Sequence, residues 1–306
     1  MTKKIRAFIA CLLFLLLFIN SLYAMEMDST RSEEVIVRFE KPLVRVAREV
    51  IRLYPSVRGE IEETFKSPLA FIPTVMLIRD RNTFQNIIGN SPVVAIAMSG
   101  EDLIIIDNSR MKSYPFTLKV TLKHELCHLY LHHYIKEGSL PRWLNEGISQ
   151  WVSDGIAELA IGKNTNILKQ AALSDTLIRL DDMTETFPGD ERSLLLAYEE
   201  SKSMVEYIVG EFGPQGIVQV LNVLRQGSDI DSAFRYGTGV SLYELEKRWH
   251  GHLKRQTTWV IYMSDHLYQL LFVFAALLLT YAFIRVMMKK REYKDDGDHA
   301  TDIPEE

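Results

Sequence analysis

The stretch Lys123 to His133, KHELCHLYLHH, places four of the chain's eight histidines beside a single carboxylate in an otherwise apolar run. His124 and His128 stand four positions apart. On a helix both rings then lie on one face, about 6 Å apart along the axis. Two imidazoles so spaced can share one zinc ion, with bonds of about 2.0–2.1 Å. Glu125 projects about 60° round from His128. That offset lets it reach a water on the ion without binding the ion itself. Zinc lowers the pKa of such a water and Glu125 takes its proton, which is the mechanical content of the HExxH pattern. A fortuitous motif with solvated histidines is the alternative. Leu118, Leu122, Leu126 and Leu129 speak against it, because they give the run the apolar face of a packed helix.

A catalytic zinc needs a third protein ligand and an open position. Glu146, in PRWLNEGISQW (Pro141 to Trp151), is one candidate. A helical hairpin of this length returns it beside the two histidines. Glu146 is otherwise an ordinary solvated carboxylate, but Trp143, Leu144, Gly147 and Ile148 are poor company for a bare charge, which there should be paired or metal-bound. His132 continues the histidine stripe but sits about 12 Å along the helix from His124, too far to share an ion; it reads as a cleft-rim or solvated residue. Cys127 reads as packing beneath the helix.

The elements that must position these residues are legible in outline. VIVRF (Val35 to Phe39) and VMLI (Val75 to Ile78) read as strands, with a helix from Pro42 to Leu53 between them. Pro55 should break that helix, and a second should run to Phe65. Asn82 can cap a short helix ending at Gly89. Val93 to Met98 and Leu103 to Ile106 flank SGED, a hairpin with Gly100 in its turn. LIIID, Leu103 to Asp107, is either core or the edge strand that pairs with an extended peptide. Helices follow: Pro115 to Lys136 closed by Gly138, and Pro141 to Asp154 closed by Gly155. Others cover about Asn166 to Ser174, Glu191 to Phe212, Pro214 to Gln226 and Leu242 to Arg255. A small sheet first and helices after it is an α+β pattern.

The bulk numbers narrow the class. An apolar fraction of 47% supplies ample core material, and a net charge of −5 argues against a nucleic-acid partner. Only Cys11 and Cys127 are present, which excludes a disulfide framework. Residues 1–24 run from Lys3, Lys4 and Arg6 into an apolar stretch, the order of a secretory signal. Ala24 suits a cleavage site; Leu22, large for its position, suits an uncleaved anchor instead. Residues 25–258 then form the folded domain. Leu267 to Ile284 carries no charge over eighteen residues, roughly 27 Å of helix, so 267–288 reads as a membrane span. A buried core helix is the other reading. Lys247, Arg248, Lys254 and Arg255 before the span nearly balance Arg285, Lys289, Lys290, Arg291 and Lys294 after it. Orientation therefore rests on the exported N-terminus: the domain lies outside the cytoplasm, periplasmic or at the cell surface, and 289–306 is a cytoplasmic tail.

HELCH followed by PRWLNEGISQW resembles the thermolysin-like zincins whose third ligand is a glutamate, the gluzincins. It is similar in particular to the bacterial peptidase MA-like domain family. That family follows a helical HExxH with W-L-x-E-G, then Tyr-x-x-Ser and a glycine, then an S-x-x-E-x-E-x-x-W helix. Here these read WLNEG, YEES (Tyr198 to Ser201), GEFG and SLYELEKRW (Ser241 to Trp249). The likeness spans about Pro73 to Lys254 and includes the lead-in VMLIRDRNTFQNIIG. It implies a zincin-like domain and a membrane-anchored zinc metallopeptidase acting on peptides or proteins. It also implies His124, His128 and Glu146 as ligands and Glu125 as general base. Tyr198 would steady the oxyanion, although Tyr198, Val205, Ile208 and Phe212 equally fit a buried helix stripe. Thermolysin itself carries an Asp four positions after the glutamate ligand, bonded to a ligand histidine. This chain has Gln150 there, which can accept that bond without a charge. Two rival functions stand beside this one: a zinc-binding scaffold or interaction domain with little turnover in a membrane complex, which that weaker support favours, and a hydrolase of a non-peptide amide.

Overall fold

VMLI and LIIID, two short apolar runs some thirty residues apart, pair side by side as parallel strands in a computed structural model of the chain. The structure describes residues 27–89, 91–111, 116–135, 140–155, 167–265 and 267–298. The expected signal (1–24), Gly138 and the end of the tail (299–306) lie outside the described residues. Two compact units divide the chain, Met1–His250 and Gly251–Glu306.

The first unit is mixed α+β, mostly helical, with a five-stranded sheet at its start. The strands are β1 (Met27–Arg31), β2 (Ile36–Glu40), β3 (Thr74–Ile78), β4 (Ala95–Met98) and β5 (Leu103–Asp107), in the order β1-β2-β3-β5-β4. β2, β3 and β5 are parallel; β1 and β4 close the two edges antiparallel. β1 is not visible as a hydrophobic pattern, because MDSTR has no apolar alternation and is held as an edge by its ladder to β2. β5 is fully buried between β3 and β4, so LIIID is core and not the edge. Among the described strands, the edge on that side of the sheet is β4.

The sheet is covered by α1 (Val44–Phe65) and α2 (Arg81–Ile88). Pro55 does not break α1. Ala47, Val50, Tyr54, Val57, Ile61 and Phe65 form one buried stripe through it, and burial of both halves outweighs the lost backbone bond. α2 is capped by Asp80, not Asn82: the Asp80 carboxylate accepts from Thr83 N at 3.0 Å. Its Phe84 and Ile87 pack on Met76, Ile78, Leu103 and Ile105, alternate residues of β3 and β5. In the β4–β5 turn the left-handed residue is Asp102 (φ 49°), one position after a 3-10 turn that contains Gly100.

α3 (Leu118–Tyr134) and α4 (Arg142–Ser153) form the expected helical pair; Asp154 (φ 53°) ends α4 in place of Gly155. Glu60 of α1 pairs with Lys119 and Lys123 of α3 at 2.7 and 2.8 Å, which sets the register of the two helices. α5 (Ile167–Ser174) precedes α6 (Glu191–Arg225), which Gly213 (φ 69°, ψ 173°) and Pro214 interrupt where the sequence predicts a break. α7 (Ile230–Thr238), unforeseen in a polar, glycine-bearing stretch, is capped by Asp229 and anchored by buried Ala233 and Phe234. α8 (Leu242–Asp265) and α9 (Leu267–Asp298) complete the chain. Within α9, Leu267–Met287 has a mean hydropathy of 2.3 and is long and apolar enough to cross a membrane.

Glu200 of α6 is fully buried, and its carboxyl accepts from Ile178 N at 3.0 Å. Burial pushes its pKa up to about 8, the Ile178 bond opposes this, and nearby Glu246 adds to it. The folded pKa is raised, so its contribution to stability is complete below the ordinary value of 4.5 and is lost as pH climbs through about 8. Glu200→Gln is therefore expected to flatten the melting temperature across that window. Thermal melts of both proteins between pH 4 and 9 check this; equal slopes would contradict it.

Candidate metal centre

Thr117 starts α3 by accepting from Val120 N, and the helix then carries both histidines across the inner face of the sheet end near β4. Leu122, Leu126, Cys127 and Leu129 are buried on its other sides, which leaves one face for His124 and His128. α4 packs antiparallel to it. Gly147 allows α4 to lie against α6 so closely that a Cβ there would stand 2.3 Å from the Ser201 carbonyl oxygen. That contact, one residue after Glu146, holds the carboxylate's helix in place.

The three side chains converge. His124 Nε2 and His128 Nε2 are 3.0 Å apart, and Glu146 Oε2 is 3.8 and 3.5 Å from them. One donor atom from each lies within 4.8 Å of the others. A tetrahedral ion with bonds of about 2.0–2.1 Å needs donors separated by about 3.3–3.4 Å. The observed separations bracket that value, so the donor set fits zinc.

The tautomer fits as well. His128 Nδ1 lies 2.8 Å from Asn145 Oδ1, an acceptor, so this nitrogen is the donor and Nε2 is the one that faces the cluster. Ser149 Oγ is a further neighbour of the same nitrogen, at 3.2 Å. Asn145 escaped notice in the sequence, although its place beside Glu146 on the helix facing His128 is the signal for it. Burial pushes the Glu146 carboxyl up, but His128, His124 and Arg142 outweigh it and keep its pKa below the usual value.

Gln150 is used differently from the expectation. Its Nε2 donates to the Tyr198 carbonyl at 3.1 Å and ties α4 to α6. Its Oε1 and His124 Nδ1 are both buried with no partner among the described residues. A carboxylate at 150 would face the Tyr198 carbonyl with a second acceptor, which explains an amide there in physical terms.

A cleft of about 360 Å³ opens over the cluster. Glu125 lines it beside the histidines, and Ala95, Ile96 and Ala97 of β4 form one wall. Tyr198 also lines it while 6% exposed, its ring edge-on to Phe187 at 5.1 Å, so the buried stripe and the cleft wall are the same surface. His132 is not part of the cluster. Cys127 is wholly buried beneath the helix, where burial pushes its thiol up to about 12.

No curated protein matches the chain in sequence. Among solved structures it is similar to Legionella pneumophila aminopeptidase A in complex with aspartic acid (12% identity, TM-score 0.44), over 74% of this chain and 28% of that one. It is also similar to yeast LTA4 hydrolase in complex with bestatin (14% identity, TM-score 0.43), over 74% of this chain and 37% of that one. The chain thus spans little more than a third of either protein at most. The sequence pattern of the Peptidase MA superfamily matches residues 95–255, a stretch that begins at β4 and takes in HELCH, WLNEG, YEES and SLYELEKRW. With more than half of its length so matched, the chain belongs to the Peptidase MA superfamily and carries a metallopeptidase-like domain.

Proposed function

We propose that the chain is a membrane-anchored zinc metallopeptidase that hydrolyses peptide bonds. The convergence of His124, His128 and Glu146 in a cleft that also holds Glu125 carries this reading. His124, His128 and Glu146 would be the ligands. Bound there, zinc supplies a Lewis acid that makes water more acidic and polarises a substrate carbonyl. Glu125 accepts the proton of the attacking water and delivers it to the departing amine. The Tyr198 hydroxyl, on the cleft wall, donates to the carbonyl oxygen as charge develops on it. Asn145 orients His128. The open edge of β4 takes an extended peptide as an added strand, main chain to main chain.

In this reading residues 1–24 export the chain and 25–258 form the zincin-like catalytic domain. Residues 267–288 span the membrane and 289–306 remain in the cytoplasm. The uncharged run of α9 supports the span, and the basic, then apolar order of residues 1–24 supports the orientation.

The test is metal content together with a peptide-library digest. About one zinc per chain is expected, with cleavage abolished by a chelator and restored by zinc. The lone His124 Nδ1 favours a second reading, a zinc-binding scaffold. Stoichiometric zinc with no cleavage of any peptide would select that reading. Absence of zinc would remove both.

A further inference from the structure

Arg142 is the first residue of α4, and it stands where a helix does not favour a cation. The first turn of α4 holds no acid, and Pro141 provides no side-chain cap. The placement costs the helix stability, and the nearest carboxylate explains it only in part. Arg142 Nε is 4.0 Å from Glu146 Oε1, the limit of an ion pair, in the weaker Arg-before-Glu order. Glu146 Oε2 meanwhile faces the two histidines. Among the described residues, neither Nη group of Arg142 donates to a protein atom.

The guanidinium is nonetheless held. The Arg142 backbone N–H donates to the Thr184 carbonyl at 2.7 Å, and the guanidinium carbon lies over the Phe187 ring, 4.9 Å from the centroid. Phe187 is itself braced edge-on by Tyr198. A planar fork fixed this way loses little freedom when it grips a carboxylate. Arg142 lines the cleft and is its one Arg or Lys among the described lining residues; its side chain is 42% exposed. Once a divalent ion is bound, Glu125 and Glu146 offset it, and Arg142 is left as the unbalanced charge opposite the neutral wall of β4.

We propose that Arg142 is the substrate-selecting residue of this cleft and that it binds a carboxylate of the peptide, either the C-terminal one or an acidic side chain near the scissile bond. This rests on the peptidase reading. The two sources present the same chemistry to the fork and differ only in where the carboxylate sits along the chain.

The test uses the full-length, zinc-loaded protein in detergent and a peptide series in pairs. In each pair a carboxylate is replaced by its amide, at the C-terminus or at one side chain, stepping away from the cleaved bond. For the wild type, kcat/KM is expected to favour the acid about 10- to 100-fold at one position. That position identifies the source. Arg142→Gln should bring the ratio to about one, and Arg142→Lys should restore part of it. Each ratio is taken within one protein, so a general loss of metal or folding cancels. The same pairs are then bound to Glu125→Gln protein, followed by fluorescence anisotropy, which needs no turnover. A peptidase failure would show as no cleavage with the acid still bound preferentially. Equal rates and equal affinities for acid and amide in the wild type, or an acid preference that survives Arg142→Gln, would overturn the assignment.

Discussion

Glu125→Gln is expected to retain its zinc and to lose peptide hydrolysis by about 10²- to 10⁴-fold. The amide has the size and shape of the carboxylate it replaces. Glu125 is 2% exposed in the cleft lining, so a change in volume there would disturb the packing of α3. The substitution keeps the volume and removes only the ability to take a proton. Because Glu125 stands off the face shared by His124 and His128, the metal should not notice its loss. Zinc stoichiometry and kcat on a fluorogenic peptide, measured on the same preparation, separate the two effects. An unchanged rate would remove Glu125 from the chemistry. Loss of zinc in step with loss of activity would make it a structural part of the centre instead.

The second large effect is expected from Gly147→Ala, in a residue that does no chemistry. The new Cβ would meet the Ser201 carbonyl oxygen at 2.3 Å and Val205 Cγ2 at 2.7 Å. A backbone carbonyl cannot rotate away as a side chain can, so α4 must move off α6. The cost is about 3 kcal/mol in stability. The shift also displaces Glu146, one residue away, and zinc affinity should fall with it. Urea unfolding with and without zinc reads both. Gly210→Ala is the control: nothing lies within 4 Å of its Cβ on an exposed part of α6, and it should stabilise by up to about 1 kcal/mol. Equal effects at the two sites would refute the packing argument.

How much of this could be read from the chain alone depends on range. His124, Glu125 and His128 lie within five residues, and the helical period fixes their relative directions. Glu146 follows one hairpin later, so its return beside them needed only the antiparallel rule. The Gly213–Pro214 break in α6 was legible for the same local reason. What failed was set by distant parts of the chain. Pro55 carries a breaker's signature, yet α1 runs through it because its two halves bury one stripe. LIIID and VVAIAM are both apolar, and only the strand order decides which of them is the edge. Gln150 was expected to support a ligand histidine; its partner proved to be a carbonyl on α6, 48 residues away. Arg142 was invisible as a functional residue because its meaning comes from Phe187 and Glu146 together, one of which arrives from another element.

The free side of β4 has a further consequence. A strand that leaves one row of amides and carbonyls open is a template for any extended chain, including a second copy of itself. β4 is only four residues long, and the turn that ends it carries Glu101 and Asp102. Shortness and flanking charge are two means by which sheets resist growth at an exposed rail. A guest of a few residues can be accommodated, while stacking into a fibre is denied a long enough seam.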